Sequence, residues 1–584
     1  MASAMKLLSR LPILKSANAP RWPYRVQRQA STESALNLDF LDFEAICKNP
    51  PEHFNFARDI LDQWSQKEKD GKRPPNPALW WIDGKGEEVR WTFEELGVLS
   101  RKAANVLLDH CKLSKGDRVL LILPRVPEWW LITVGCIRTG IIFIPATVLL
   151  TAKDIQYRLQ ISKAKCIVTN DAIAPLVDSV ASECPSLKSR MLVSKGCSRE
   201  GWLNFHDLLE AASSQHEPMN TNSQDPISFY FTSGTTGYPK MVEHASINMG
   251  VGLIYGGRHW MNLVPSSLMW GLSDTGWVKF AFSSLYSAWA QGSCIFSHGM
   301  PQFDPTEVLK TLNKYPVTTF CGTPTIFRML LQQDLRKYKF KSLTTCLCGG
   351  EPLNTEAMEQ WKAQTGLDIY EGYGQTESTL ICGTMRHMKV KPGFMGKPCP
   401  PYDVQIIDEH CNLLPAGKEG DIAVRIKPKR PLGLFTRYVD EPEKTASTER
   451  GDFYLTGDRG IMDEEGYIQF VARADDVILS SGYRIGPFEV EFALMEHPAV
   501  AEAAVVSSPD PIRGEVVKAL IILNPAYESH EKDKLILELQ EHVKTVTAPY
   551  KYPRQIEFVQ DLPKTISGKV QRHLLRKKEW EKAQ

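Results

Sequence analysis

A segment rich in glycine and hydroxyl side chains is the strongest chemical signal in this sequence. It follows an alternating strand pattern, residues 227–231, and consists of Thr232, Ser233, Gly234, Thr235, Thr236, Gly237, Tyr238, Pro239 and Lys240. Backbone N–H groups beside glycine, several O–H donors and one lysine are the groups that wrap a polyphosphate. A Walker P-loop requires Gly-Lys before Ser or Thr, and here two residues separate Gly237 from Lys240. The segment predicts another kind of phosphate loop, with a flexible Gly/Thr loop as the alternative.

Five further segments contain glycines, hydroxyls and charged residues in short, closely spaced sets. They are residues 349–352 (GGEP), 370–377 (YEGYGQTE), 454–458 (YLTGD), 473–485 (starting RADD and ending SGYRI) and 563–569 (PKTISGK). In this order and spacing the segments resemble the adenylate-forming superfamily of acyl-CoA synthetases, firefly luciferases and peptide-synthetase adenylation domains. The resemblance covers roughly residues 50–580. It is strongest to mitochondrial medium-chain acyl-CoA synthetases, through residues 80–81 (WW), 127–130 (PEWW), 273–277 (SDTGW) and 548–553 (APYKYP).

The resemblance implies two half-reactions in one site. A medium-chain fatty or aromatic carboxylate attacks the α-phosphate of ATP to give acyl-AMP and pyrophosphate, and CoA then displaces AMP. The residues implied to bind ATP are the loop residues 232–240 together with Glu371, Gly372, Tyr373, Gly374, Gln375, Thr376, Asp458, Arg473 and Lys569. Asp458 is a sensible ribose ligand, because a carboxylate accepts hydrogen bonds from both hydroxyls. Glu377 is implied to hold Mg²⁺, since a carboxylate beside phosphates needs a bridging cation.

Lys569 is the expected catalytic lysine of adenylation, with Thr376 offering its hydroxyl to the reacting groups. A lysine ammonium on a flexible loop can bridge the carboxylate and the α-phosphate as negative charge builds between them. The resemblance assigns the acid to Trp277, Gly349, Thr376 and Arg484. Phe280 and Phe282 either line the same apolar slot or belong to the core.

The C-terminal domain is expected to rotate about Asp475 between the two half-reactions. Rotation replaces the face that carries Lys569 by one that binds CoA. The residues implied to bind CoA are Ser481, Gly482, Tyr483, Arg513, Lys544, Tyr552, Pro553 and Arg554. Leu149 stands where some relatives place a polar residue near CoA.

The N-terminal segment differs from the rest in charge. Residues 1–32 lack Asp and Glu but contain Lys6, Arg10, Lys15, Arg21, Arg25 and Arg28, and without these six cations the formal charge of +1 would become −5. Leu7, Leu8, Leu11 and Leu14 recur at helical spacing. A basic, acid-free, amphipathic start is typical of a mitochondrial transit peptide, with a disordered basic tail as the alternative. The expected location is the mitochondrial matrix.

Composition and patterning predict an α/β protein of more than one domain. The near-zero charge, with 23% charged residues, disfavours nucleic-acid binding, and no segment is expected to span a membrane. The 13 cysteines lack a CxxC pair, so we expect buried thiols. Short apolar runs alternate with amphipathic stretches, for example strands at 119–123, 166–169, 318–321 and 345–348 and helices at 92–108 and 355–365. From about residue 404 short strands predict a β-rich subdomain.

The predicted organisation is a transit peptide (1–32), a large N-terminal AMP- and acyl-binding domain (33–474) and a small mobile α+β C-terminal domain (475–584). In the last, helices are expected at 487–497 and 532–544 and strands at 503–506 and 519–523. The expected partners are a carboxylic acid, ATP, Mg²⁺ and CoA, and the expected oligomeric state is a monomer. The alternatives are an adenylating enzyme with another acyl acceptor, or a catalytically silent acyl- or nucleotide-binding relative.

Overall fold

The computed structural model describes residues 43–196, 198–232, 239–480, 483–510, 513–547, 549–565 and 568–582. The predicted transit peptide and residues 233–238 of the predicted phosphate loop lie outside the described residues. So do Ser481 and Gly482, and of Arg484 only the backbone is described.

The strands alternate with helices through most of the described chain. In chain order they are β1 (Leu79–Ile82), β2 (Glu88–Trp91), β3 (Arg118–Ile122), β4 (Ile142–Pro145), β5 (Cys166–Thr169), β6 (Ser189–Leu192), β7 (Leu203–Asn204), β8 (Pro226–Thr232), β9 (Lys240–Ala245), β10 (Leu268–Gly271), β11 (Cys294–His298), β12 (Thr319–Gly322), β13 (Thr345–Gly349), β14 (Ile369–Gln375), β15 (Thr379–Gly383), β16 (Lys397–Pro398), β17 (Val404–Ile407), β18 (Glu419–Arg425), β19 (Arg437–Tyr438), β20 (Glu449–Arg450), β21 (Phe453–Met462), β22 (Ile468–Arg473), β23 (Ile478–Ser480), β24 (Tyr483–Ile485), β25 (Val500–Asp510), β26 (Gly514–Leu523) and β27 (Gln555–Phe558).

The helices are α1 (Phe43–Lys48), α2 (Asp62–Lys69), α3 (Phe93–Asp109), α4 (Pro127–Thr139), α5 (Ala152–Ser162), α6 (Ala174–Asp178), α7 (Phe205–Ala211), α8 (Ser246–Gly250), α9 (Val278–Ala281), α10 (Ser287–Ala290), α11 (Pro305–Lys314), α12 (Pro324–Leu331), α13 (Thr355–Thr365), α14 (Pro442–Ser447), α15 (Pro487–Met495), α16 (Lys532–Val546) and α17 (Arg572–Lys582). Within the described ranges, no helix combines the length and apolarity needed to cross a membrane.

Two large, mainly parallel sheets carry most of the chain. One has the order β19-β9-β8-β4-β3-β5-β6-β7, and the other has the order β16-β15-β14-β13-β12-β10-β11-β1-β2. In each, the parallel strands occupy the middle and antiparallel pairs close an edge. The central strands are apolar along their whole length because helices cover both faces of such sheets. This confirms the predicted α/β class.

Two smaller sheets follow. The first, β17-β18-β21-β20 with β22 beside β21, is antiparallel and confirms the predicted β-rich subdomain. The second, β24-β23-β26-β25 with β27 parallel to β26, packs against α15 and α16 around its own apolar core. It is the α+β unit expected near the C-terminus; the boundary at residue 475 stays a prediction.

Local sequence signals predict the limits of several helices and strands to within one or two residues. Helix 355–365 and strand 166–169 were predicted at their observed limits. Helix α3 begins one residue later than predicted because Thr92 is its N-cap, and Thr92 and Glu95 form a capping box. Helix α15 ends two residues before the predicted His497, which precedes Pro498 and is therefore disfavoured in helical conformation. The described cysteines are all unpaired and mostly buried, as expected.

A partly buried ion pair joins the three helices α2, α3 and α4. Arg138 of α4 is fully buried, and its guanidinium donates to both carboxylate oxygens of Asp62 of α2 at 2.7 and 3.0 Å. Its Nε donates to the Ser100 hydroxyl of α3 at 3.0 Å. Because a buried cation without its counter-ion is costly, the pair must form for these helices to pack.

Asp62→Asn should therefore lower the free energy of unfolding by about 3–5 kcal/mol, because it leaves the Arg138 charge uncompensated. Urea unfolding followed by circular dichroism would measure the change. The matched control is Asp70→Asn, which removes an exposed pair with Lys72 and should leave stability unchanged. Equal stability of the Asp62→Asn variant and the wild type would contradict the assignment.

Candidate active site

The predicted ATP- and acid-binding segments converge at the carboxyl ends of parallel strands. Thr232 ends β8, Gly349 ends β13 and Gln375 ends β14. In open α/β sheets this edge is where ligands bind, because the loops that follow the strands open toward one cleft. The β-rich sheet adds Asp458 from β21 and Arg473 from β22, which are directly paired.

Asp458 is the centre of a hydrogen-bond network. Its Oδ2 accepts from the Tyr373 hydroxyl at 2.5 Å and from Gln375 Nε2 at 2.8 Å, and its Oδ1 accepts from Arg473 at 3.0 Å. Burial raises the pKa of Asp458 above its ordinary value, whereas the positive charge of Arg473 opposes that rise. Tyr454 donates to the Gln375 amide oxygen at 3.2 Å, which orients that amide. The network holds one carboxylate, already oriented, at the expected ribose position.

The glycines of two predicted segments are required by close backbone packing. A Cβ on Gly374 would lie 1.4 Å from the Thr379 carbonyl oxygen, and one on Gly349 would lie 2.5 Å from that of Gly372. The glycines let β13, β14 and β15 approach closely at the cleft. Glu371, also in β14, is buried. Burial raises the pKa of its carboxyl to about 8, and a hydrogen bond from the Leu353 N–H partly offsets the rise.

His244 positions the loop that contains Thr376. Its Nε2 lies 2.7 Å from the Thr376 carbonyl oxygen, which can only accept, so that nitrogen carries the proton. Burial lowers the pKa of His244 to about 4, and the ring is therefore neutral at pH 7. His244 thus holds Thr376 through its backbone.

Glu377, Tyr438 and Lys240 form a second polar group next to the described end of the phosphate loop. The Tyr438 hydroxyl donates to Glu377 Oε1 at 2.8 Å, and the Lys240 ammonium lies 6.0 Å from the centre of the Tyr438 ring. Burial raises the pKa of Glu377, and the Tyr438 bond opposes the rise. Burial also lowers the pKa of Lys240, with Lys444 adding to the effect.

The residues around Glu377 fit a metal that is shared with phosphates. No cation of the described chain lies within ion-pair distance of the Glu377 carboxylate, so its negative charge is available to a metal. The described residues contain no group of three or more His, Cys, Asp or Glu side chains that could hold a metal ion. A single carboxylate suits Mg²⁺, which proteins bind through one or two carboxylates plus substrate phosphates.

Lys569 reaches this cleft from the C-terminal unit. Desolvation by the surrounding protein lowers the pKa of its ammonium, although the residue is exposed. Glu351 and Asp458 raise that pKa, while Lys279 and Arg473 lower it further, so all four charges lie close enough to act on Lys569. The Lys279 ammonium itself donates to the carbonyl oxygens of Gly322 and Gly349, both at 2.7 Å.

Two arginine side chains, Arg473 and Arg576, contact the predicted hinge residue Asp475. Arg473, which binds Asp458, also lies 3.5 Å from the Asp475 carboxylate. Arg576 of α17 donates to the Asp475 carbonyl oxygen and lies 3.4 Å from the Asp476 carboxylate. Asp475 therefore connects the expected ribose site with the last helix of the C-terminal unit.

Three of the predicted CoA residues lie together in the C-terminal unit. The Lys544 ammonium and the Arg554 guanidinium both lie over the ring of Tyr552, at 4.7 and 4.9 Å from its centre. Tyr483 is 52% exposed and stacks on Tyr550 at 4.4 Å. Arg513 and Pro553 form hydrogen bonds through their backbones. The Arg513 N–H donates to the Asp510 carboxylate, and the Pro553 carbonyl accepts from the Gln540 amide.

The predicted aromatic lining of the acid slot divides into two groups. Phe280 is core, because it packs on Trp129 and Trp130 at 4.9 and 5.6 Å. Phe282 stacks on Trp260, whose indole N–H donates to the Glu371 carbonyl. Trp277 is half-buried at the start of α9. Leu149 is 63% exposed.

Four residues of this site were not recognised from sequence: His244, Tyr438, Lys279 and Arg576. Each acts through a contact with a residue distant in the chain, and none lies inside a recognisable motif. Only Lys279 carried a local signal, since a lysine two residues after the Trp277 motif is unusual within an otherwise apolar run.

Two family models match the chain. Residues 67–438 match the model of the AMP-binding enzyme family, and residues 489–569 match its AMP-binding enzyme C-terminal domain. The two matches together cover most of the described residues, and residues 439–488 lie between them.

Similar proteins span more than nine-tenths of the chain. Acyl-coenzyme A synthetase ACSM3, mitochondrial, of Homo sapiens is 59% identical over 577 residues, which are 98% of this chain and 97% of that protein. Acyl-coenzyme A synthetase ACSM4, mitochondrial, of Rattus norvegicus is 61% identical over 551 residues, 94% of each chain. Among solved structures, the anthranilate CoA ligase AuaEII in complex with anthranoyl-AMP has a TM-score of 0.82 at 28% identity, covering 92% of this chain and 99% of that one.

Tyr438→Phe removes only the hydroxyl that orients Glu377, and should weaken Mn²⁺ binding in the presence of ATP about 10-fold. Without the hydrogen bond the pKa of Glu377 rises further, so the loss should be larger at lower pH. Electron paramagnetic resonance of Mn²⁺ measures binding without turnover. The control is Tyr467→Phe, which removes a hydroxyl bonded to the Lys389 carbonyl. Similar Mn²⁺ affinity in both variants would refute the role of Tyr438.

Proposed function

We propose a reaction sequence for this chain, which belongs to the AMP-binding enzyme family and is an ATP-dependent acyl-CoA synthetase. A medium-chain fatty acid or an aromatic acid such as benzoate is first activated as acyl-AMP and then transferred to CoA. The observation that carries the proposal is the buried Asp458 carboxylate, which Tyr373, Gln375 and Arg473 hold where the predicted ATP-binding segments end. The charges of Asp458 and Arg473 also act on the pKa of Lys569 in the C-terminal unit.

In the first half-reaction an oxygen of the acid carboxylate forms a bond to the α-phosphorus of ATP. The bond from that phosphorus to the bridging oxygen breaks, and pyrophosphate leaves with the electron pair. Asp458 and Arg473 hold the ribose, and residues 232–240 hold the β- and γ-phosphates. Lys569 and Thr376 lie beside the reacting oxygens. Catalysis then consists mainly of positioning and charge neutralisation, as in other phosphoryl-group chemistry.

Glu377 and the ATP phosphates would hold Mg²⁺, whose charge neutralises pyrophosphate as it leaves. Tyr438 keeps the Glu377 carboxylate turned toward that position through the 2.8 Å bond. Lys240 supplies a second positive charge on the same side.

In the second half-reaction the C-terminal domain rotates about Asp475, withdraws Lys569 and presents the CoA cluster. The CoA thiolate attacks the acyl carbonyl, the thioester forms, and AMP leaves with the electrons of the broken acyl–phosphate bond. Lys544, Tyr552 and Arg554 suit the phosphates of CoA, because two cations lie close together over one aromatic ring. Ser481–Tyr483, Arg484 and Arg513 complete the proposed surface.

The proposed acid slot lies between Trp277 and Gly349, with Arg484 contributing in the rotated arrangement. Support for aromatic acids comes from the similar fold of an anthranilate CoA ligase. The relatives ACSM3 and ACSM4 are named mitochondrial, and the basic, acid-free residues 1–32 support import into the matrix.

A substrate panel tests the reaction. The full chain with ATP, Mg²⁺, CoA and straight-chain acids from butyrate to dodecanoate, or benzoate, should give acyl-CoA, AMP and pyrophosphate. Liquid chromatography with mass spectrometry identifies every product. ADP and orthophosphate as products, or the lack of any acyl-CoA across the panel, would refute the proposal.

Lys569→Ala should slow acyl-AMP formation by about 100- to 1,000-fold, because one preorganised cation is lost from the transition state. Thioester formation from supplied octanoyl-AMP and CoA should be preserved, since Lys569 is withdrawn for that step. Pyrophosphate exchange measures the first step, and thioester release measures the second. The control is Lys577→Ala, an exposed lysine on α17. Equal losses in both half-reactions would show that Lys569 has a different role.

A further inference from the structure

Lys279 stands where two parallel strands end at the cleft. Its ammonium donates to the carbonyl oxygens of Gly322, the last residue of β12, and Gly349, the last residue of β13, both at 2.7 Å. Gly349 is a proposed wall of the acid slot, and Trp277 lies two residues before Lys279. The lysine therefore forms part of the floor of that slot.

The charge of Lys279 has no ionic partner in the described part of the chain. No carboxylate there lies within ion-pair distance of its ammonium, which has only the two carbonyl oxygens as partners. Removing a cation from water is costly unless it is paired. A lysine ammonium has three N–H donors, so one remains after the bonds to Gly322 and Gly349. The group is thus a fixed positive charge with a hydrogen bond left to donate.

The charge of Lys279 also acts on Lys569. It lowers the pKa of the Lys569 ammonium, and it acts likewise on the buried thiols of Cys321 and Cys348 at the ends of the two strands. Lys569 is carried by the C-terminal unit, whereas Lys279 is built into α9 of the large lobe. Lys279 therefore stays at the slot when Lys569 is withdrawn.

We propose that Lys279 binds the carboxylate of the free acid before and during adenylation, an inference that rests on the proposed function. The substrate is an anion that must enter beside the phosphates of ATP, which repel it, and a fixed cation offsets that repulsion. Once acyl-AMP has formed, the former carboxylate is a neutral acyl carbonyl bonded through oxygen to phosphorus. The attraction to Lys279 then falls, so Lys279 favours the acid over the acyl-AMP.

Lys279→Met in the full chain tests the assignment with octanoate and benzoate as probes. The KM for the acid in pyrophosphate exchange should rise about 10- to 100-fold, as expected when a hydrogen bond to a charged group is lost. The KM for ATP and the rate of thioester formation from supplied octanoyl-AMP should be unchanged. Lys279→Arg, which keeps the charge, should restore part of the affinity. The control is Lys310→Met, an exposed lysine paired with Glu307.

A pH profile tests separately whether the charge of Lys279 acts on Lys569. Lys569 must be protonated to bridge the reacting groups, so adenylation declines as pH rises through its pKa. Removing the Lys279 charge relieves repulsion and raises that pKa, so the alkaline limb should move to higher pH in Lys279→Met.

Lys279→Gln keeps a donor for the strand carbonyls but loses the charge, and serves if the Met variant does not fold. An unchanged KM for both acids in a folded variant would overturn the inference. So would an equal loss in thioester formation from octanoyl-AMP, because that result would assign Lys279 to holding the strands. If the wild-type chain forms no acyl-AMP from any acid, the proposed function fails instead.

Discussion

The carboxylate of Asp458 is the interaction on which the arrangement of this enzyme depends. It receives hydrogen bonds from Tyr373 and Gln375 of one large sheet and from Arg473 of the β-rich sheet. Arg473 then reaches Asp475, where the chain enters the C-terminal unit. Asp458 thus connects the predicted ATP-binding segment of β14 with the predicted hinge through Arg473. A ligand that changes the bonding of Asp458 acts directly on the residue about which the C-terminal domain is proposed to rotate.

Charge organises the rest of the cleft. The reaction brings a carboxylate to a triphosphate, and the protein places its own carboxylates, Asp458 and Glu377, in the same region. Lys240, Lys279 and Arg473 are cations fixed in the large lobe, whereas Lys569 arrives with the C-terminal unit. In the proposed mechanism the fixed cations hold the acid and ATP, and Lys569 is withdrawn after the first half-reaction. Burial keeps these interactions strong by removing competing water.

Much of the fold was predictable because its signals are local. The capping box of Thr92 and Glu95 and the apolar run 166–169 specify their elements without help from distant residues. The limits of β25 and β26 were predicted too short, since their outer residues are extended only because the strands pair along their whole length. The pairing of Arg138 with Asp62 had no sequence signal, because the two residues lie on different helices and meet only when those helices pack.

The sequence by itself determined the family and the reaction class and predicted the motif residues, including Lys569, Asp458 and Glu377, because nucleotide chemistry favours those residue types within short segments. Tertiary structure alone decided which other side chains serve them. His244 reaches the Thr376 carbonyl, Tyr438 reaches Glu377 and Lys279 reaches Gly349, across separations of tens of residues or more. Such contacts depend on how sheets and helices pack, and a hydrogen bond between distant residues leaves no periodicity or spacing in the chain to reveal it.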